Sequence, residues 1–482
     1  MRILEWILVL VTIVAAILML VHPKRGMRMA MIAALILFTT LHGVIEQFRL
    51  QMLPTYLLVL VLLVILVVRQ NNHRSWIKAT LSSIMVLILS AGSVALTWLL
   101  PAFTMPEPTG PYAIGTFSQR LMDESREETK SPEAGDKREL MINVWYPVDQ
   151  EAAKGLYLEH YPAELGEAIS LVFGIPPQVF SYLDTIPTHV VTGAKVSAAE
   201  SHYPVLLFSP GVRSARFQSM TAIEELVSHG YIVVGIDHPY TSARVTFPDG
   251  HAVAYKTDPE FGTSQELYQY NVKGVGIRAA DASFVLDTLT LWNSHDPNGL
   301  LQGKLDLDRV GIFGHSYGGA TTAETLAQDD RFSAGLSLEG GFWGEVSKAA
   351  LKQPFMYIMS GETAKSFAPD ATEKDNVFYP EFEPDLDHVM THSLNDTYYL
   401  TVDGFFHQSF TDISLISPRM FARGMTPEHN VDITRSYTLA FFDRYLKGEE
   451  QVLLEGPSDR FPEAAYDTKY TSLGNEQVNQ HE

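Results

Sequence analysis

The chain contains no cysteine. That excludes disulfides, thiolate catalysis and Cys-ligated zinc, and it leaves an extracytoplasmic domain that folds without bridges open. Acidic residues are almost missing from one region. Up to Phe103 there are eight Lys/Arg and only two Asp/Glu, Glu5 and Glu46, whereas the rest carries 27 basic and 54 acidic residues. The larger part of the chain would therefore repel phosphate, and nucleic acid is a poor partner for it. Long polar runs are also missing from the first hundred residues, where only short polar loops interrupt the apolar sequence. Four apolar stretches follow one another there: Ile3–Val21, Met29–Ile45, Leu53–Val68 and Ala79–Leu100. A spanning helix needs about 20 apolar residues. The outer two stretches meet that, and the middle two fall slightly short. A secretion signal would be a single stretch with a small-residue cleavage site. The pattern predicts a membrane domain of four transmembrane helices over residues 1–103.

Basic loops set the expected orientation. Lys24, Arg25 and Arg28 follow the first stretch, and Arg69, Arg74 and Lys78 follow the third; the other flanks hold only Arg2 and Arg49. The first and third loops are then cytoplasmic, and everything after Leu100 is extracytoplasmic. Glu5, His42 and Glu46 are expected near helix ends, in reach of interfacial water. Residues 104–136 read as a linker with little regular structure, because Pro106, Pro108 and Pro111 precede a charged run from Asp123 to Lys130.

Beyond it, strand and helix signals alternate. Leu140–Tyr146, Val205–Phe208, Tyr231–Ile236, Arg309–Phe313, Gly335–Leu338, Phe355–Met359 and Tyr398–Val402 read as strands. Phe217–Ser228, Gly276–Trp292, Tyr317–Leu326 and Asn430–Leu446 read as helices. Such alternation predicts an α/β domain over 137–482, with a mostly parallel central sheet covered on both faces. Residues 151–203 form a candidate lid insertion. Its apolar side chains, Leu171, Val172, Phe173, Ile175, Val179, Phe180 and Leu183, suit either a lipid-facing lid or packing on the core.

The motif that carries chemistry is Gly314-His315-Ser316-Tyr317-Gly318. An apolar strand leads in and a small-residue helix leads out, the strand–elbow–helix that exposes a nucleophilic serine. A serine hydroxyl needs a general base. His407 follows the last predicted strand and is the candidate; His315 and His238 read as supporting groups. The third member must orient the imidazole and stabilise its charged form. Glu339 and Glu362 both end strands after the elbow helix, and spacing alone does not choose between them. Two backbone N–H groups must receive the oxyanion. Tyr317, next to the nucleophile, supplies one, and Val212, in the loop after Val205–Phe208, the other. No cofactor or metal is expected.

With these residues in order, Leu140 to Leu446 resembles the platelet-activating factor acetylhydrolase family, plasma or isoform II type, and its bacterial relatives. The resemblance rests on Trp145-Tyr146-Pro147, Phe208-Ser209-Pro210-Gly211, Gly230-Tyr231-Ile232-Val233 with Asp237-His238, the elbow, and His407-Gln408-Ser409-Phe410-Thr411-Asp412. It implies the α/β-hydrolase fold and cofactor-free hydrolysis of short acyl esters, such as a short sn-2 chain of a phospholipid. It favours Glu339 over Glu362 as the acid, although the family usually carries Asp there, and it agrees on Val212 and Tyr317. The expected partners are an ester or lipid substrate and a cell membrane, in a bacterial setting. The alternatives are a cutinase-like polyester or xenobiotic ester hydrolase and, in another class, a membrane sensor or transporter component with a degenerate hydrolase domain.

Overall fold

The structure, a computed structural model, describes all residues except 22, 69–75, 163, 368–378, 423 and 472–482. Arg69 and Arg74, which entered the orientation argument, lie outside the described residues.

The chain opens with helices α1 (Ile3–Leu18), α2 (Arg25–Ile45), α3 (Leu53–Val68) and α4 (Trp76–Leu99). Three are long and apolar enough to cross a membrane, as Arg25–Ile45, Leu50–Val68 and Thr80–Leu99. Of the four expected transmembrane helices, α1 is the one shorter than these three. Its 16 residues extend roughly 24 Å at the α-helical rise, before Met19–Val21 tighten into a 3₁₀ turn. The expectation of water-reaching polar groups is corrected. Glu5 and His42 are fully buried within the helices. Arg49 grips both oxygens of Glu5, Nε to Oε1 at 2.6 Å and Nη2 to Oε2 at 2.9 Å. His42 meets the Tyr56 hydroxyl through Nε2 at 2.7 Å and the Glu46 carboxylate through Nδ1 at 3.1 Å. Buried charge survives when paired in this way; removing one partner alone costs about 3–5 kcal/mol.

The strands are β1 (Ala113–Glu127), β2 (Lys137–Val148), β3 (Leu158–His160), β4 (Pro187–Thr192), β5 (Tyr203–Ser209), β6 (Ile232–Asp237), β7 (Arg244–Thr246), β8 (Ala252–Ala254), β9 (Leu305–His315), β10 (Ala334–Leu338), β11 (Phe355–Ser360), β12 (Thr397–Val402) and β13 (Ala464–Tyr466). Eleven of them form one sheet in the order β13-β12-β11-β10-β9-β5-β6-β2-β1-β4-β3, and β7 and β8 form a separate ribbon. From β12 across to β6 every pairing is parallel. The antiparallel strands β13 and β2 flank that block.

Alternation along the central strands sends successive side chains to opposite faces. Leu206, Phe208 and Val233 join one core with the helices Met220–Ser228 and Pro427–Phe442. Val205, Leu207, Val234 and Ile312 join the other with the helices Ser264–Ser294 and Tyr317–Gln328. The fold class read from the alternation is the one observed for the central sheet.

The segment expected to be an irregular linker is different. It contains β1, which runs antiparallel along β2 with Phe117 opposite Val144 and Leu121 opposite Leu140. The charged run did not preclude a strand because its charges find partners: Arg126 Nε lies 2.6 Å from Asp123, and Arg120 lies 2.7 Å from Glu139 on β2. The insertion between β2 and β5 buries some of its apolar side chains and exposes others. Phe180 and Leu183 are buried, whereas Leu171 and Val172 are 42% and 44% exposed.

Candidate active site

Strand β9 ends at His315, and the helix Tyr317–Gln328 starts two residues later. Ser316 between them takes φ 58° and ψ −122°. A non-glycine residue there costs about 1–3 kcal/mol, and it persists only where the surroundings over-determine it. The surroundings do so. Ser316 N–H donates to Leu338 O at 2.8 Å. A Cβ on Gly314 would lie 2.3 Å from the Gly318 backbone, and one on Gly318 would lie 1.8 Å from Ser209 O. Both glycines are required by contact, and the turn lifts the serine hydroxyl clear of the sheet.

His407 opens a 3₁₀ turn just beyond β12. Its Nε2 lies 2.7 Å from Ser316 Oγ, and its Nδ1 lies 3.5 Å from Glu339 Oε1. Glu339 follows β10 with φ 58°. Its carboxylate is fully buried and accepts from Ser360 N–H at 3.2 Å and Ser360 Oγ–H at 3.0 Å. Glu362, the other acid, is 44% exposed and pairs with Lys365 at 2.7 Å. The chain therefore brings Ser316, His407 and Glu339 together and turns Glu362 toward solvent.

Val212 and Tyr317 flank the serine on separate elements. The Val212 amide takes no acceptor among the described residues. Tyr317 is the first residue of its helix, where an N–H lacks an intrahelical acceptor. The loop carrying Val212 is held at both ends of one peptide unit. Arg278 Nη1 donates to Pro210 O at 2.6 Å, and Gly211 N–H donates to Gln218 Oε1 at 2.9 Å. Arg278 also lies over the Tyr317 ring, 5.0 Å from its centroid. Burial lowers its pKa to about 10, which leaves it charged at neutral pH.

Gln218 extends the network toward the base. Its Nε2 donates to His315 Nδ1 at 2.9 Å, and His315 Nε2–H donates to the His407 carbonyl at 2.7 Å. Burial holds the His315 pKa well below the ordinary range, consistent with the neutral tautomer that this bonding requires. Sequence reasoning named His315 as a supporting group but missed Gln218, Ser360 and Arg278. None of them lies in a motif, and no spacing marks them.

A second Ser–His–acid cluster lies beside the site, also unforeseen. Ser209 Oγ is 3.0 Å from His238 Nε2, and His238 Nδ1 is 2.8 Å from Asp281 Oδ2. All three are buried. Burial pushes the His238 pKa down to about 3. Arg138 holds the Asp281 carboxylate through two bonds, at 3.1 and 2.6 Å.

A cavity of about 100 Å³ opens onto Ser316 and His407, with Leu165, Ala168, Ile169, Val172 and Phe173 forming its apolar wall. Among the described residues, no group of His, Asp or Glu is arranged to hold a metal ion.

A strained serine at the carboxyl end of a central strand, in a mostly parallel sheet covered on both faces, is consistent with the α/β-hydrolase class. A solved structure, ferulic acid esterase from Streptomyces cinnamoneus, superposes with a TM-score of 0.60 at 27% identity, covering 76% of this chain and 99% of that one. The family model for platelet-activating factor acetylhydrolase, isoform II, matches residues 100–452, and the chain belongs to that family. A probable 1-alkyl-2-acetylglycerophosphocholine esterase from Arthroderma benhamiae is 24% identical over 76% of this chain and 94% of its own length. The platelet-activating factor acetylhydrolase of Cavia porcellus is 27% identical over 78% and 87%. The chain is a carboxylic ester hydrolase.

Proposed function

We propose that the chain hydrolyses short acyl esters, phospholipids with a short sn-2 chain among them, through an acyl-enzyme on Ser316. The observation that carries this is the 2.7 Å contact between Ser316 Oγ and His407 Nε2 at the floor of an apolar cavity. His407 takes the serine proton as Oγ attacks the carbonyl, and later returns a proton to the leaving alkoxide. Glu339 orients the imidazole and stabilises its charged form. The Val212 and Tyr317 amides receive the oxyanion. Water activated by His407 then releases the acid. A cavity of about 100 Å³ suits an acyl group of a few carbons.

We further place the hydrolase domain, β1 included, outside the cytoplasm of a bacterial cell, behind a membrane domain of four helices in which α1 is short. Support comes from the basic residues after α1 and α3. A topology reporter at the C-terminus tests this, and a cytoplasmic signal would reverse the orientation. The chemistry is tested on the full chain in nanodiscs with 2-acetyl and 2-palmitoyl phospholipids. Release of acetate well above palmitate is expected; equal rates would contradict the short-acyl reading.

A further inference from the structure

The wall of the acyl cavity does not stand alone. It is packed onto the end of the membrane helices. The wall helix, Leu165–Phe173, lies directly against the following 3₁₀ segment, Pro177–Thr185. A Cβ on Gly166 would sit 2.9 Å from Phe180 Cβ, so the two elements are packed too closely to admit even a methyl group between them. The 3₁₀ segment in turn meets the connector between α2 and α3. Gln51 Nε2 donates to Val179 O at 2.8 Å. The Arg49 guanidinium covers the Tyr182 ring at 5.5 Å.

Arg49 is itself fixed from two further directions. Glu5 of α1 takes two of its N–H groups, and Nη1 donates to Leu100 O at 3.1 Å. The guanidinium thus ties α1, the end of α4 and the wall segment at one point. A second tie lies nearby. Ser417 Oγ–H donates to Leu99 O at 3.2 Å, and Arg419 covers the Trp98 ring at 4.7 Å. Leu100, Leu165, Ile169, Phe180 and Tyr182 share one continuous core. Packed cores of this kind transmit displacement rather than absorb it.

We infer that the membrane helices determine acyl selectivity: through Arg49 and Gln51 they hold Pro177–Thr185, and with it the wall helix, at a fixed distance from Ser316. This rests on the proposed use of the cavity as the acyl site. Loosening the connector lets the wall retreat, so longer acyl chains fit while the Ser316–His407 pair is untouched. The substituted residues lie outside the catalytic groups, so the expected change is in the ratio between substrates.

The test uses the full chain in nanodiscs with p-nitrophenyl esters from acetate to octanoate. Gln51→Leu removes the bond to Val179 at little change in volume. The double variant Glu5→Leu/Arg49→Met removes the ion pair without leaving either charge buried alone. Each is expected to raise the octanoate-to-acetate ratio of kcat/KM by about tenfold, the scale of a pocket change of a methylene or more. Leu57→Ala, on an exposed face of α3, should leave the ratio unchanged. Hydrogen exchange is read in parallel, because it does not depend on the chemistry. Amides of 165–185 should exchange faster in both connector variants, with those of β5 and β9 unchanged. Faster exchange supports the coupling even if the esters are not turned over, a result that would count against the proposed function alone. Unchanged exchange at 165–185, or faster exchange with an unaltered chain-length ratio in an active enzyme, overturns the inference.

Discussion

The described residues hold two Ser–His–acid clusters, and by distance alone the buried one is better aligned at its acid. In Ser209–His238–Asp281 the histidine stands 2.8 Å from its acid; in Ser316–His407–Glu339 it stands 3.5 Å away. What separates them is access and backbone. Ser316 sits in a strained elbow and opens onto a cavity. Ser209 ends a regular strand, and its cluster has 1% exposure or less. A histidine whose pKa is pushed to about 3 cannot accept a proton usefully near neutral pH. The same residue types therefore open onto a cavity in one place and are packed away from solvent in the other. The buried set fixes the end of β5, whose Ser209 carbonyl closes against Gly318.

The sharpest way to break this comparison is to delete each serine. Ser316→Ala is expected to lower kcat for p-nitrophenyl acetate by about 10⁴-fold or more, while Ser209→Ala lowers it less than about tenfold. Comparable losses would make the two clusters functionally equivalent. The acids come next. Glu339→Gln should cost about 10³- to 10⁴-fold in kcat with little change in KM, as expected when a histidine loses its orienting carboxylate. Glu362→Gln should remain within about twofold, since that side chain faces solvent and surface pairs contribute little. Loss of turnover in Glu362→Gln alone would move the acid to the later strand.

The buried cluster is expected to show itself in stability instead. Asp281→Asn leaves Arg138 short of its principal anion and should destabilise the fold by about 3–5 kcal/mol in urea titration. A smaller effect is set by pH. An unfolded histidine titrates near 6.5, and folded His238 near 3, so the unfolded chain binds the proton first. The stability from neutral His238 is complete above pH 6.5 and is lost as pH falls from there toward 3. By pH 5 that amounts to about 2 kcal/mol. The acid limb of the stability curve should be shallower in His238→Asn by about this amount.

Much of this frame was legible from residues alone, for identifiable reasons. The central strands are buried on both faces and read as short β-branched runs, so Tyr231–Ile236 anticipated β6 within a residue. The elbow announced itself because only glycine fits at 314 and 318. His407 was found by its place after the last predicted strand. The strand β1 was hidden because part of its charge is paired, Arg120 with Glu139 on β2 and Arg126 with Asp123, and composition does not distinguish paired from solvated charge. Spacing alone left Glu339 and Glu362 open and the resemblance favoured Glu339; the fold sets Glu339 3.5 Å from His407 Nδ1 and leaves Glu362 44% exposed. Gln218, Arg278 and the second cluster arise from tertiary approach between segments far apart in the chain.

Covalent labelling tests the central claim most directly. The full chain, treated with a fluorophosphonate and digested, should carry a single adduct on the peptide containing Ser316, appearing in step with loss of p-nitrophenyl acetate hydrolysis. Ser209 should remain unmodified. An adduct on Ser209, or full inactivation with Ser316 unlabelled, would contradict the account.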